Sequence, residues 1–355
     1  MKQLVLIVNG TEDGEGMVVH HRTSGGTDIF GLGVPNIHSN LDWDLGPTWC
    51  YLICAQKTVL IDTGRFGNFD VLKNLLKSVD KEISDLDVVI PTHSHEDHDG
   101  NLPEVSFVAK PEIWAHPIYR KMICYHTNID DGATHPELPG SCRSCILPEK
   151  FYRQCLPYHQ KRSLLRVDFE IDDSVVSSVD GLRFIFTPGH TPDSTCIVFE
   201  DEVIFTGDTV LPDITPHPSR TQVFDYNRRI LPERYRRENE VYGLMVYLKS
   251  LRKIADMDTG FQATFPAHRL FFKGRFNLID SARDRAKDII QFHIDRCRDI
   301  LEIIKSGPIG VGDIARRHFL PDQLKGYGAL MARNEIISHI EIMEECGDVR
   351  WVGHE

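Results

Sequence analysis

No stretch of this chain approaches the roughly 18–20 consecutive apolar residues that span a bilayer, which argues against a membrane helix. The apolar run near the start, Leu4-Val-Leu-Ile-Val8, is too short for a secretory leader core and reads as a first strand. The expectation is a soluble, cytoplasmic protein with no membrane partner. Positive charge is scarce: 40 Lys and Arg stand against 52 Asp and Glu, a formal net charge of −12. That excludes a surface given over wholly to nucleic acid, though a local basic groove stays open. There is no internal repeat and no low-complexity tract. No Gly-x-Ser-x-Gly elbow is present to supply a nucleophilic serine.

What is present is ordinary globular material, 41% hydrophobic and 26% charged in 355 residues, enough for one large domain or two smaller ones. Nine cysteines are an odd count, suited to a reducing compartment with free or metal-bound thiols. Cys50, Cys54, Cys196, Cys297 and Cys346 lie in apolar or amphipathic runs and read as small core residues.

Strand-like runs are expected at Thr48–Ala55, Thr58–Asp62, Asp87–Pro91, Arg183–Thr187, Thr195–Glu200, Glu202–Phe205 and Ala263–Phe265. Helical spacing marks Phe69–Val79 and Tyr242–Ile254. This mixture points to an α/β sandwich. Residues 118–165 read as a loop-rich insertion holding four of the cysteines. Beyond His268 the chain turns helical, with Asn277–Lys305, Val311–Phe319 and Ala329–Cys346, and Gly347–Val352 is expected to close as a β-ribbon.

The densest chemistry lies in Thr92-His-Ser-His-Glu-Asp-His-Asp-Gly100. His93, His95, Asp97 and His98 fall within six residues, just past an apolar strand. Residues two apart in an extended loop project to one side, so His93 and His95 can share a cation while Asp97 and His98 face a second. Imidazole and carboxylate together suit divalent metals in hydrolytic sites. Three later segments repeat the layout of apolar strand, sharp turn and one candidate ligand: Phe184–His190, Val203–Asp208 and Ala263–His268.

His-x-His-x-Asp-His followed by Gly-His, Gly-Asp and Pro-x-His resembles the metallo-β-lactamase superfamily, nearest its glyoxalase II-type and ribonuclease-like hydrolases. The resemblance covers roughly residues 45 to 270. It implies an αββα sandwich with the metals at one edge, while the C-terminal pattern of helix, Gly-Pro turn, short helix, long helix and final Val-Arg-Trp-Val, with the run Gln291–Arg296, separately resembles a small helical, winged-helix-like extension. It further implies that His93, His95 and His190 hold one metal, that Asp97, His98 and His268 hold the other, and that Asp208 bridges them. Asp62, in Leu60-Ile-Asp-Thr-Gly64, matches an aspartate that supports the metal loop without binding metal. The domains expected are a catalytic one over 1–274, containing the 118–165 insertion, and a helical one over 275–355.

Two divalent cations, zinc first and iron or manganese otherwise, would activate water for attack on a carbonyl or phosphorus centre. Asp97 is the candidate to orient that water and move its proton. A basic and aromatic stretch after Asp208 offers Arg228, Arg229, Arg236 and Arg237 for an anionic substrate group, or for a plain solvated face. The expected substrate is a small anionic thioester or other ester, of acyl-CoA or acyl-glutathione type. RNA or another phosphodiester is the alternative substrate, and a non-catalytic metal-binding module the alternative class. Asn334–Cys346 contains Glu335, Glu341, Glu344 and Glu345 and no Lys or Arg, which disfavours duplex contact. A cap over the site, or a homodimer contact through the C-terminal helices, is expected instead. Cys124, Cys142, Cys145 and Cys155 around a Cys-x-x-Cys knuckle are candidates for an additional structural zinc, with a redox pair or unconnected thiols as alternatives.

Overall fold

A computed structural model describes residues 4–38, 43–124, 149–171, 181–220, 228, 230–237, 240–257 and 260–352. Two sheets lie face to face. The first has eight strands in sequential order: β1 (Val5–Val8), β2 (Val18–Arg22), β3 (Asp28–Val34), β4 (Thr48–Cys54), β5 (Thr58–Ile61), β6 (Val88–Ile90), β7 (Glu112–Ala115) and β8 (Phe169–Glu170). β1 to β5 pair antiparallel, and β5 to β8 pair parallel. The second sheet is ordered β12–β11–β10–β9, from β9 (Leu182–Phe186), β10 (Thr195–Phe199), β11 (Val203–Gly207) and β12 (Ala263–Pro266). A short β13–β14 ribbon, Phe271–Phe272 with Arg275–Phe276, follows.

Alternation along the strands builds the layers, because successive side chains in a strand point to opposite faces. Trp49, Tyr51 and Ile53 of β4, Val59 and Ile61 of β5, and Val88 and Ile90 of β6 turn inward. There they meet Phe184, Ile197, Phe199, Val203, Phe205 and Phe265 of the second sheet. The residues between them, Cys50, Leu52, Leu60 and Val89, face outward. They pack under α1 (Phe69–Lys77), α2 (Leu102–Ala109) and α3 (Pro117–Cys124). On the far side Cys196, Val198 and Ile204 pack against α5 (Leu244–Ala255), α6 (Ala282–Ile304), α7 (Val311–His318) and α8 (Tyr327–Glu345). The result is an αββα sandwich with a C-terminal helical region.

Three expectations need correction. The described parts of 118–165 are mainly helical, since α3 is followed by α4 (Glu149–Arg162). Polar composition and Pro157 hide the period of α4. Gly347–Val352 forms no strand in the described residues, so the C-terminal region is helical without the ribbon. Cys50 and Cys196 are buried as expected, but Cys346 lies exposed at the end of α8. No described helix is long and apolar enough to cross a membrane.

Candidate metal centre

Strand direction gathers the site. β5 and β6 run parallel, as do β11 and β12, and β9 shares the direction of β11 through its two antiparallel pairings with β10. Asp62, the Thr92–Gly100 loop, His190, Asp208 and His268 follow the carboxyl ends of β5, β6, β9, β11 and β12. The ends of the two sheets are stitched together there. Thr195 N donates to Thr92 O at 3.0 Å and Trp49 N to Ala267 O at 2.7 Å.

Seven side chains converge as two adjoining groups, His93, His95, His190 and Asp208 beside Asp97, His98 and His268, either of which could hold a metal ion. His95 Nδ1 lies 3.1 Å from His93 Nε2 and 3.2 Å from His190 Nε2. Asp208 reaches both groups with different oxygens. Its Oδ2 is 3.2 Å from His190 Nε2 and 3.9 Å from His93 Nε2, whereas Oδ1 is 3.4 Å from His268 Nε2 and 3.5 Å from His98 Nε2. Asp97 Oδ2 lies 3.3 Å from His268 Nε2 and accepts from Asn36 Nδ2 at 2.8 Å.

Contacts behind the ligands fix their orientation, as metal-binding imidazoles require. Asp62 Oδ2 accepts from His98 Nδ1 at 2.9 Å and from the Thr92 hydroxyl at 2.9 Å, and Oδ1 takes the Thr92 N–H at 2.7 Å. Asp62 therefore supports the loop from outside both groups. Its φ of +57° turns the chain sharply at the end of β5. His268 Nδ1 bonds to Pro47 O at 3.2 Å, and His93 Nδ1 is 3.1 Å from the Thr92 hydroxyl.

The electrostatics suit a cation. Burial drives His93 well below the ordinary histidine range, and the imidazoles of His98 and His95 add to it. His95 is pushed down to about 3 by burial and by His190. Asp97 and Asp208 would be raised by burial, but facing imidazoles of His98 and His268 outweigh it and hold both well below the carboxylate range. Burial likewise opposes charge on His98 and His268, yet the carboxylates raise them, Asp208 foremost. Two ionised carboxylates this deep demand compensating positive charge. A divalent cation meets that demand as well as protons do. Consistent with this, His98 Nε2, His268 Nε2 and Asp208 Oδ1 are buried without a hydrogen-bond partner.

The metallo-beta-lactamase superfamily model matches residues 43–270. The chain belongs to this superfamily. A probable metallo-hydrolase of Methanocaldococcus jannaschii is 31% identical over 160 residues, covering 45% of this chain and 66% of that one. An N-acyl homoserine lactonase of a Bacillus species is 27% identical over 180 residues, covering 44% and 59%. These matches span from about three-fifths to two-thirds of the relatives' own length. A beta-lactamase-like protein 2 homolog of Caenorhabditis elegans is 24% identical, over 76% of this chain and 69% of that one. The fold is shared with a metallo-beta-lactamase family protein from Thermus thermophilus, with TM-score 0.63 and 19% identity, covering 92% of this chain and 96% of that one. A beta-lactamase domain protein from Burkholderia ambifaria gives TM-score 0.64 and 16% identity, covering 97% and 94%.

Among the described residues, the other candidates are not members of the two groups. Arg236 donates to Leu231 O at 2.7 Å and Arg237 pairs with Glu240 at 3.8 Å. Both are exposed, as is Arg228, and neither of those pairings involves the cluster. Arg229, Cys142 and Cys145 lie outside the described residues. Cys124 is exposed at the end of α3, and Cys155 is buried in α4 with its thiol pushed up to about 12, mainly by burial. Sequence reasoning missed Asn36, Pro47, Asp99, Tyr158 and Arg162. Of these only Asp99, inside the histidine-rich run, carried any signal.

Proposed function

We propose that the protein is a dinuclear metal-dependent hydrolase acting on a carboxylic ester, thioesters and lactones included. The observation that carries this reading is the division of the Asp208 oxygens between the two ligand groups. His93, His95 and His190 would hold one cation, Asp97, His98 and His268 the other, and Asp208 would touch both. When bound, the pair supplies an acidified water and polarises the substrate carbonyl. Asp97 would take the water's proton, a role supported by the way Asn36 holds its Oδ2 against His268. The Bacillus relatives are named lactonases, which supports an ester substrate over a phosphodiester.

A substrate panel of acyl-CoA, acyl-glutathione, lactone, phosphodiester and RNA, run with zinc, iron or manganese, tests it. Ester turnover that a chelator abolishes and metal restores is expected. Cleavage of RNA alone would overturn the substrate class, and chelator-resistant ester turnover would overturn the mechanism.

A further inference from the structure

The loop between His93 and His98 has a buried clamp behind it that no strand-end motif announces. Arg162, on the last turn of α4, is 3% exposed, and Asp99 is fully buried. The Arg162 Nη1 donates to Ser94 O at 2.8 Å and pairs with Asp99 Oδ2 at 3.1 Å. Tyr158, one helical turn earlier and so on the same face, donates to Asp99 Oδ1, while Tyr119 of α3 donates to Oδ2 at 2.8 Å. The ring of Tyr158 stacks on Phe66 at 5.3 Å. Ser94 is gripped a second time, its hydroxyl donating to Asp193 Oδ1 at 3.2 Å. Asp193 lies three residues past His190, so this contact ties the loops of His95 and His190 together.

We propose that Arg162 is a positioning residue for the cation held by His93, His95 and His190; the inference rests on the dinuclear reading above. The Ser94 carbonyl belongs to the peptide that joins it to His95, so holding it fixes the backbone from which the His95 imidazole leaves. His98 and His268 are anchored independently, through Asp62 and Pro47 O. His95 has no comparable anchor among the described residues. Loss of the guanidinium therefore loosens one cation and spares the other. Outer contacts of this kind are worth about 10–100-fold in metal affinity.

The test is competition between the full-length protein and a chromophoric zinc chelator for wild type, Arg162→Met, Arg162→Lys and the double variant Asp99→Asn/Arg162→Met. The double variant removes the buried pair without leaving a lone buried charge, so it keeps the question open should Arg162→Met not fold. Wild type should bind two equivalents. The Met variants should lose about 10–100-fold at one equivalent only, with Lys recovering part of it. Wild-type protein that binds no divalent cation would remove the dinuclear reading itself. Two wild-type affinities in a folded Met variant would overturn only the role of Arg162. Equal loss at both equivalents, unrescued by Lys and tracking the metal-free melting temperature, would also overturn it by showing general structural support.

Discussion

At the scale of single residues, Asp208 does what no histidine here can do, because its two oxygens serve two groups of nitrogens 3.2–3.9 Å away. Replacing it with Asn keeps the shape but removes the charge both groups share. Asp208→Asn should lower kcat/KM by more than about 10²-fold, the upper range for contacts one layer further out. Far-UV circular dichroism should be unchanged, and wild-type turnover would remove Asp208 from the centre. Asp193 makes a different prediction. Burial raises its carboxyl to about 6 from 3.8, only partly offset by hydrogen bonds from Thr191 and Ser94. A carboxyl raised on folding binds protons more tightly in the native state. Its contribution to stability is full below about pH 4 and is lost as pH rises through 6, worth roughly 3 kcal/mol at most. Denaturant melts of chelator-treated protein should show wild type losing this increment between pH 4 and 6 relative to Asp193→Asn. Parallel pH profiles would sink the assignment. The ligands were legible in the sequence because four crowd the run 93–98 and the other three, His190, Asp208 and His268, each end an apolar run at a small-residue turn. Arg162 was not, since its contact with Asp99 joins positions 63 apart across segments of no clear period.

The strands and their turns set where those residues stand. The inner strands were readable because alternate apolar side chains belong to two different interfaces, giving unbroken runs such as Thr195–Phe199. β2 and β3 were missed because His20, His21, Gly31 and Gly33 interrupt theirs. The turn before His190 depends on Gly189, whose φ is +127° and where a Cβ would sit 2.3 Å from Tyr247 N. Neither helix α5 nor the turn has room to yield there. Gly189→Ala should therefore cost the strain of a disallowed backbone, about 1–3 kcal/mol, plus the clash. It should also displace His190, weakening metal binding before the chain unfolds. Titration with zinc and thermal melting separate the two effects, and a variant matching wild type in both would show the turn to be tolerant.

Across the whole molecule, the expected boundary near residue 275 does not coincide with a gap in packing. Ala282, Ala286, Ile289, Ile300, Ile336 and Ile340 of the C-terminal helices share one core with Val198, Ile204, Leu251 and Ile254 of the sandwich. Polar contacts cross the same seam. Glu341 accepts from the Ser219 hydroxyl and the Arg220 N–H, each at 2.7 Å. His339 Nδ1 lies 2.6 Å from the Glu335 carbonyl and so carries its proton there. Its Nε2 then accepts from His293 Nδ1 at 3.0 Å, and His293 Nε2 accepts from the Thr215 hydroxyl at 2.9 Å. Both imidazoles must be neutral for that chain to hold, and burial keeps His339 near 3. It fastens the segment following Asp208 to α6 and α8. A chain ending at residue 274 would expose the apolar face of α5 that the C-terminal helices cover, a patch that folded domains rarely leave open. It would also free the Thr215–Arg220 segment beyond Asp208. The 1–274 fragment is expected to be insoluble, or to lack a cooperative thermal transition and bind less than two equivalents of zinc. A cooperative melt near that of the full chain, with both metals bound, would show instead that the helices are an appendage and that the sandwich alone builds the site.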